Sequence, residues 1–539
     1  MPEGPRGFRE LDLTAARDLD GIWVAAGLSD APGLPPTPLA AELVFDDVEL
    51  LWAALDRRGA SASRRARRLV SLDGFVFQPF LPLARAASEL VPLDGEGLSL
   101  AIACEAREDV RRALRRRAVA TRTGLALLVT RILRGLTRLE ARVRAHEQDA
   151  SQHYRWLVEM DLGILPDDAL RTTISECIAI QRASRGLELQ ATLDLLGGYA
   201  ALFALARRAE FDESEQFAAA ALIPEPLELS SVTPALALLS ALHAAPASDS
   251  ASLHARVADY VAGYGDRGPC EREPFTPRWA ESIPELEAAL GLLDRVDVQQ
   301  RDTRRLDAAH ARRERLARAV AALPLIERVP LSALLGALQR LVLLRSRLHL
   351  VRARTLYMLR TATLDVDRRL RRLSGSEPGT AFFLRLRELT ESTWRPDPRH
   401  VEAARERQVA WLLAREKPAP PALFGSDVAP RNANGTLQGV GLGIGQVTAR
   451  AKIARDFTAA LTLEPGAVLV TRSLDSGWAP ILSAAGAVVT DVGGLTDEGV
   501  VAAGALGVPL VIGVRDALAQ IRDGDRLHVD PRAGTVIRA

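Results

Sequence analysis

The chain has 539 residues, and at about 150 residues per domain that length suggests several structural units. Hydrophobic residues make up 48% and charged residues 25%, ordinary globular usage that excludes wholesale disorder. Lys and Arg total 69 against 68 for Asp and Glu, so a net charge of +1 supplies no overall field to recruit nucleic acid or an anionic membrane.

In chain order, residues 1–45 are rich in Pro and Gly. The run APGLPPTPLA at 31–40 is incompatible with continuous helix, because each proline fixes φ and removes a backbone donor. It predicts an extended N-terminal segment lying on a larger body. No apolar signal core follows Met1, and no run of 18 predominantly apolar residues appears, so neither a signal peptide nor a transmembrane helix is expected. The cysteines Cys104, Cys177 and Cys270 lie far apart with no metal spacing, which points to a reducing compartment. A cytoplasmic location is expected.

Residues 46–416 predict a mainly α-helical domain, since Ala, Leu and Arg dominate and lose little side-chain entropy in a helix. The clearest helix is 338–362, where Leu341, Leu344, Leu348, Val351, Thr355 and Met358 alternate at three and four to give one apolar seam. Arg340, Arg347 and Arg354 recur every seven residues beside it. A solvated or paired face outweighs an anion-binding face for such a row. A helix pair is expected over Glu105–His146. Its cluster Arg111, Arg112, Arg115, Arg116 and Arg117 has no interleaved aromatics, which argues against a nucleic-acid surface.

Residues 417–436, KPAPPALFGSDVAPRNANGT, mix Pro, Gly, Asn and Ser without periodicity and read as a linker. From 437 to 539 the pattern becomes that of a small α/β domain. Strands are predicted at Gln446–Ile453, Ala467–Val470, Ala487–Thr490 and Pro509–Ile512, with helices at Ala479–Ala485 and Glu498–Leu506. GVGLGIG at 439–445 satisfies neither GxGxxG nor a P-loop and reads as a tight turn before a strand.

The segment 464–513 carries the most information. Asp475, Trp478 and Pro480 are followed by Asp491, Gly493, Gly494 and Thr496, then by Gly507, Val508, Pro509 and Gly513. This order of motifs resembles the phosphohistidine (swivelling, or mobile) domain of PEP-utilising enzymes, the family of PEP synthase, pyruvate phosphate dikinase and rifampin phosphotransferase. GVGLGIGQVTARAKI is similar to that domain's first strand, and DGDRLHVDPRAGTV to its closing hairpin. More weakly, 22–44, 72–84, 381–389 and 411–424 resemble the central helical domain of the same enzymes. The resemblance implies a helical body, substrate-binding in rifampin phosphotransferases, followed by a carrier domain. It also implies an ATP-grasp domain as phosphoryl source, for which this sequence offers no candidate segment before residue 22.

The departures from the family pattern set the functional expectation. GGLTDEG aligned on the family's GG-x-T-[SC]-H-x puts Asp497 on the small residue and Glu498 on the phosphorylated histidine. The family's arginine six residues later falls on Gly504. A neutral imidazole nitrogen attacks phosphorus to form a reversible phosphoramidate. A carboxylate gives a poorer carrier, and adjacent acids repel incoming phosphate. Of eight histidines, His528 alone lies in this domain, in its closing hairpin.

Phosphohistidine transfer is therefore expected to be lost, leaving a binding or regulatory protein with no resident cofactor. One alternative is an enzyme subunit working with a separate ATP-grasp protein that brings ATP and Mg, with Glu498, Asp497 and Thr496 as its catalytic residues and Gly493 and Gly494 shaping the loop. Against that stands helix capping by Asp497 and Glu498, which is commoner. The other alternative is a small-molecule pocket in the helical domain lined by Phe75, Phe77, Phe80, Tyr154 and Trp156.

Overall fold

The computed structural model describes residues 9–11, 13–26, 34–58, 68–90, 103–113, 122–208, 233, 250–322, 324–390, 398–428 and 436–539. Long helices make the body and a small α/β unit closes the chain. Three helices, Arg122–Glu159, Asp167–Arg208 and Leu325–Ser374, pack along one another. The seam Leu341, Leu344, Leu348, Val351, Thr355 and Met358 is buried in this bundle, as its three–four spacing requires.

The arginines beside that seam are paired. Arg340 Nε donates to Glu140 at 2.7 Å, Arg347 Nε to Glu147 at 2.8 Å and Arg354 Nε to Asp266 at 3.0 Å. The seven-residue repeat thus fixes helix register. Because Arg340 is half exposed, Arg340→Ala is expected to cost no more than about 1 kcal/mol in a double-mutant cycle with Glu140→Ala. Arg111 and Arg112 sit three residues beyond Glu108 and Asp109 and pair with them, whereas Arg115, Arg116 and Arg117 lie outside the described residues. The Leu325–Ser374 helix includes a stretch long and apolar enough to cross a membrane; its seam is buried against the neighbouring helices.

The N-terminal expectation needs correction. Residues 1–45 are not simply extended: strands Arg9–Leu11 and Trp23–Ala25 and helix Leu13–Arg17 form there, and helix Pro38–Arg57 begins before residue 45. Thr37 caps that helix by accepting from the Ala40 N–H at 3.3 Å, and Pro38 stands at its first turn, where a missing N–H costs nothing. The span 46–416 also contains strands, Val70–Leu72 and Phe75–Pro79. Nor is 417–436 merely a linker. Leu423–Phe424 pairs with Trp23 and Val24 and completes a five-stranded sheet, with Phe424 stacked on Trp23.

The C-terminal unit follows expectation closely. Strands Val447–Ala454, Val468–Thr471, Ala487–Thr490 and Leu510–Ile512 lie within an eight-stranded sheet, and helices Ala479–Ala484 and Glu498–Ala505 pack against it. Ala487–Thr490 runs parallel to both of its neighbours, Val468–Thr471 and Leu510–Ile512. All four of its residues are buried, which explains its uninterrupted apolar run.

Candidate functional site

Ligands in parallel α/β sheets gather beyond the carboxyl ends of the strands, and here the Ala487–Thr490 strand delivers the loop 491–497 and then helix Glu498–Ala505. The loop is held from within. Thr490 Oγ1 donates to the Val492 carbonyl at 2.9 Å, Asp491 Oδ1 accepts from Leu518 N at 2.9 Å, and Val492 N donates to the Arg472 carbonyl at 3.0 Å. Gly493 has φ +140, which a side chain rarely tolerates.

Asp497 stands at the N-cap position, but its carboxylate does not cap the helix. It turns back to accept from Gly494 N at 2.9 Å, fastening the loop on itself. The capping expectation therefore holds for position and not for the hydrogen bond.

The helical body fastens the same loop from outside. Cys104 N donates to the Gly493 carbonyl at 2.8 Å, Gly493 N donates to Glu105 Oε2 at 3.2 Å, and Arg345 Nη1 donates to the Thr496 carbonyl at 2.9 Å. As a result Thr496, Asp497 and Glu498 are only 2%, 1% and 6% exposed. Gly504, which the sequence resemblance sets against the family's arginine, accepts from Arg312 Nη1 of the body at 2.9 Å. His528 lies on strand Arg526–Asp530 with its ring 2.8 Å from Thr448 Oγ1, in another part of the sheet.

One turn beyond Arg345, His349 points its Nε2 at Glu271 Oε2, 3.2 Å away. Burial by itself would raise the Glu271 pKa, but Arg267 and His349 hold the carboxyl well below the usual range. His349 and Glu271 line a cavity of about 80 Å³ between body and C-terminal unit, together with Phe75, Cys270, Asp475 and Trp478. An adjoining cavity of about 260 Å³ shares Leu34, Cys270, Glu273 and Asp456 and is walled by Phe275, Trp279, Trp411 and Phe457.

These aromatics differ from the expected set. Of that set Phe75 alone lines the cleft; Phe77 and Phe80 are core, Tyr154 lies under Arg354, and Trp156 is 42% exposed. Sequence reasoning missed Phe275, Trp279 and Trp411 because they have no shared period; only folding brings them together. Among the described residues no group of three or more His, Cys, Asp or Glu is placed to hold a metal ion.

Comparison with known proteins bears on this geometry. Residues 463–534 match the family model described as the PEP-utilising enzyme, mobile domain. The C-terminal unit is a PEP-utilising enzyme mobile domain. The chain is 40% identical over 103 residues to a rifampicin phosphotransferase of Streptomyces sviceus, covering 19% of this chain and 12% of that one. It is 37% identical over 102 residues to a phosphoenolpyruvate synthase of Escherichia coli, covering 19% and 12%. It is also 32% identical over 145 residues to the prodigiosin synthesizing transferase PigC of Serratia marcescens, covering 25% and 16%. The matches thus span a small fraction of each relative's length, 12% to 16%.

Proposed function

We propose that this chain is a PEP-utilising-enzyme relative in which phosphohistidine transfer is lost and a binding or regulatory role is kept. The observation that carries this reading is Glu498. The order of motifs in the sequence sets it against the family's phosphorylated histidine, and it lies buried beside a loop that Cys104, Glu105 and Arg345 fasten to the helical body. A carrier residue must meet a donor and an acceptor in turn, and a buried acid is suited to neither task. The cleft beside His349 and Trp478 supports the small-molecule side of this role, since apolar walls with a few converging polar groups are the usual form of a ligand site.

The test is intact-mass measurement after incubation with PEP, and separately with ATP, Mg and an ATP-grasp protein. No phosphate adduct is expected. A stoichiometric adduct overturns the reading and favours instead a working subunit of a phosphotransferase, with ATP reaching it through that partner.

A further inference from the structure

The segment Cys104–Asp109 does more than bury a loop. Cys104–Ala106 is a single 3₁₀ turn continuing into helix Arg107–Ala113. It grips the mobile domain at three points: Cys104 N on the Gly493 carbonyl at 2.8 Å, Glu105 Oε2 on Gly493 N at 3.2 Å, and an ion pair from Asp109 to Arg515. Gly513 fits beneath it with φ +66, and a Cβ there would lie 2.5 Å from Cys104 Cβ and 2.6 Å from Glu105 N. The fit is therefore close enough that small changes at Glu105 are felt by the loop.

We infer that Cys104–Asp109 is a proton-dependent latch that holds the loop at the carrier position of the mobile domain against the helical body. The titrating group is Glu105. It faces Arg472 and Arg515 from the mobile domain, Arg472 lying near Asp491 and Arg515 being committed to Asp109. Arg472 is itself buried and gives Nη1 to the Pro420 carbonyl at 2.7 Å. Burial pushes the Glu105 carboxyl up to about 8, against the opposing pull of its hydrogen bonds and of the two arginines. The seated latch thus holds a proton that a released, hydrated Glu105 gives up in the ordinary carboxylate range. The sign follows: seating is strongest in acid, weakens by up to about tenfold per pH unit as pH rises from about 4.5 to about 8, and is level above that.

Hydrogen exchange of the full chain, read on peptides covering 488–499 and corrected for the intrinsic pH dependence of amide exchange, measures this opening even when it is rare. Protection of these amides is expected to fall between pH 5 and pH 8 in the wild type. It is expected to stay level in Glu105→Gln, whose amide oxygen still accepts from Gly493 N. Level protection in the wild type overturns the proposal, as does an equal fall in both proteins. If Glu105→Gln fails to fold, the wild-type profile decides by itself, because a fall confined to 488–499 and absent from peptides in Asp167–Arg208 supports the latch and a uniform fall overturns it. The outcome is independent of whether residue 498 takes up phosphate.

Discussion

Arg352→Met lowers stability by about 3–5 kcal/mol, the usual loss when one partner leaves a buried ion pair. Arg352 is the hub of a charge cluster inside the helical body. Its Nη1 donates to Glu188 Oε2 at 2.6 Å and its Nη2 to Asp47 Oδ2 at 3.0 Å, and the Gln181 amide oxygen, turned inward, accepts from it at 3.1 Å. Arg185 approaches the same two acids, Glu188 at 3.0 Å and Asp47 at 3.2 Å. Burial would raise the Glu188 pKa, but Arg352 and Arg185, aided by Arg272 and Arg345, hold it well below the carboxylate range. With Met at 352, Glu188 and Asp47 lose one of the two arginines that ion-pair with both of them, and Arg185 is left to bridge the pair. The midpoint of urea unfolding followed by helical circular dichroism checks this; a loss under about 1 kcal/mol contradicts it. The sign with pH is fixed too. A depressed folded pKa gives stability that is present above the unfolded value of about 4.3 and is lost as pH falls further. Arg352→Met is therefore expected to flatten part of the acid limb.

Gly477→Ala unseats the mobile domain while leaving its own sheet intact. Gly477 lies just before Trp478, and a Cβ there would stand 2.0 Å from the Gly268 carbonyl oxygen and 2.8 Å from Pro269 Cα. These are backbone atoms of the loop that also holds Cys270, whose N–H donates to Asp475 Oδ2 at 2.9 Å across the same junction. Neither side has a flexible end to move. Overpacking of this kind costs about 1–3 kcal/mol, and here the cheapest relief is separation of the two surfaces. Limited proteolysis is expected to cut between body and mobile domain faster in Gly477→Ala, with the released C-terminal fragment still resistant. Unchanged cleavage would contradict a tightly seated interface.

What the sequence revealed follows from how local the signal is. The long seam at 338–362 and the buried strand Ala487–Thr490 are set by residues a few positions apart, and the structure places both as their spacing requires. Strands Arg9–Leu11, Trp23–Ala25 and Leu423–Phe424 are two or three residues long, too short for any period to show. Phe424 finds Trp23 across some four hundred residues of chain, so nothing near 423 marks it as a strand. The start of helix Pro38–Arg57 did carry a local mark, Thr37 followed by Pro38, which the surrounding prolines concealed. At the candidate site, motif order pointed to Thr496, Asp497 and Glu498. Their burial was not legible, because it comes from Cys104, Glu105 and Arg345, which share no motif with them.

The loss of phosphoryl transfer turns on the chemistry of position 498. Peptide mapping of residues 491–506 after exposure of the full chain to PEP, or to ATP, Mg and an ATP-grasp protein, reads that position directly. An unmodified peptide is expected in every condition. A phosphate on Glu498, labile to hydroxylamine, would contradict the loss of phosphoryl transfer.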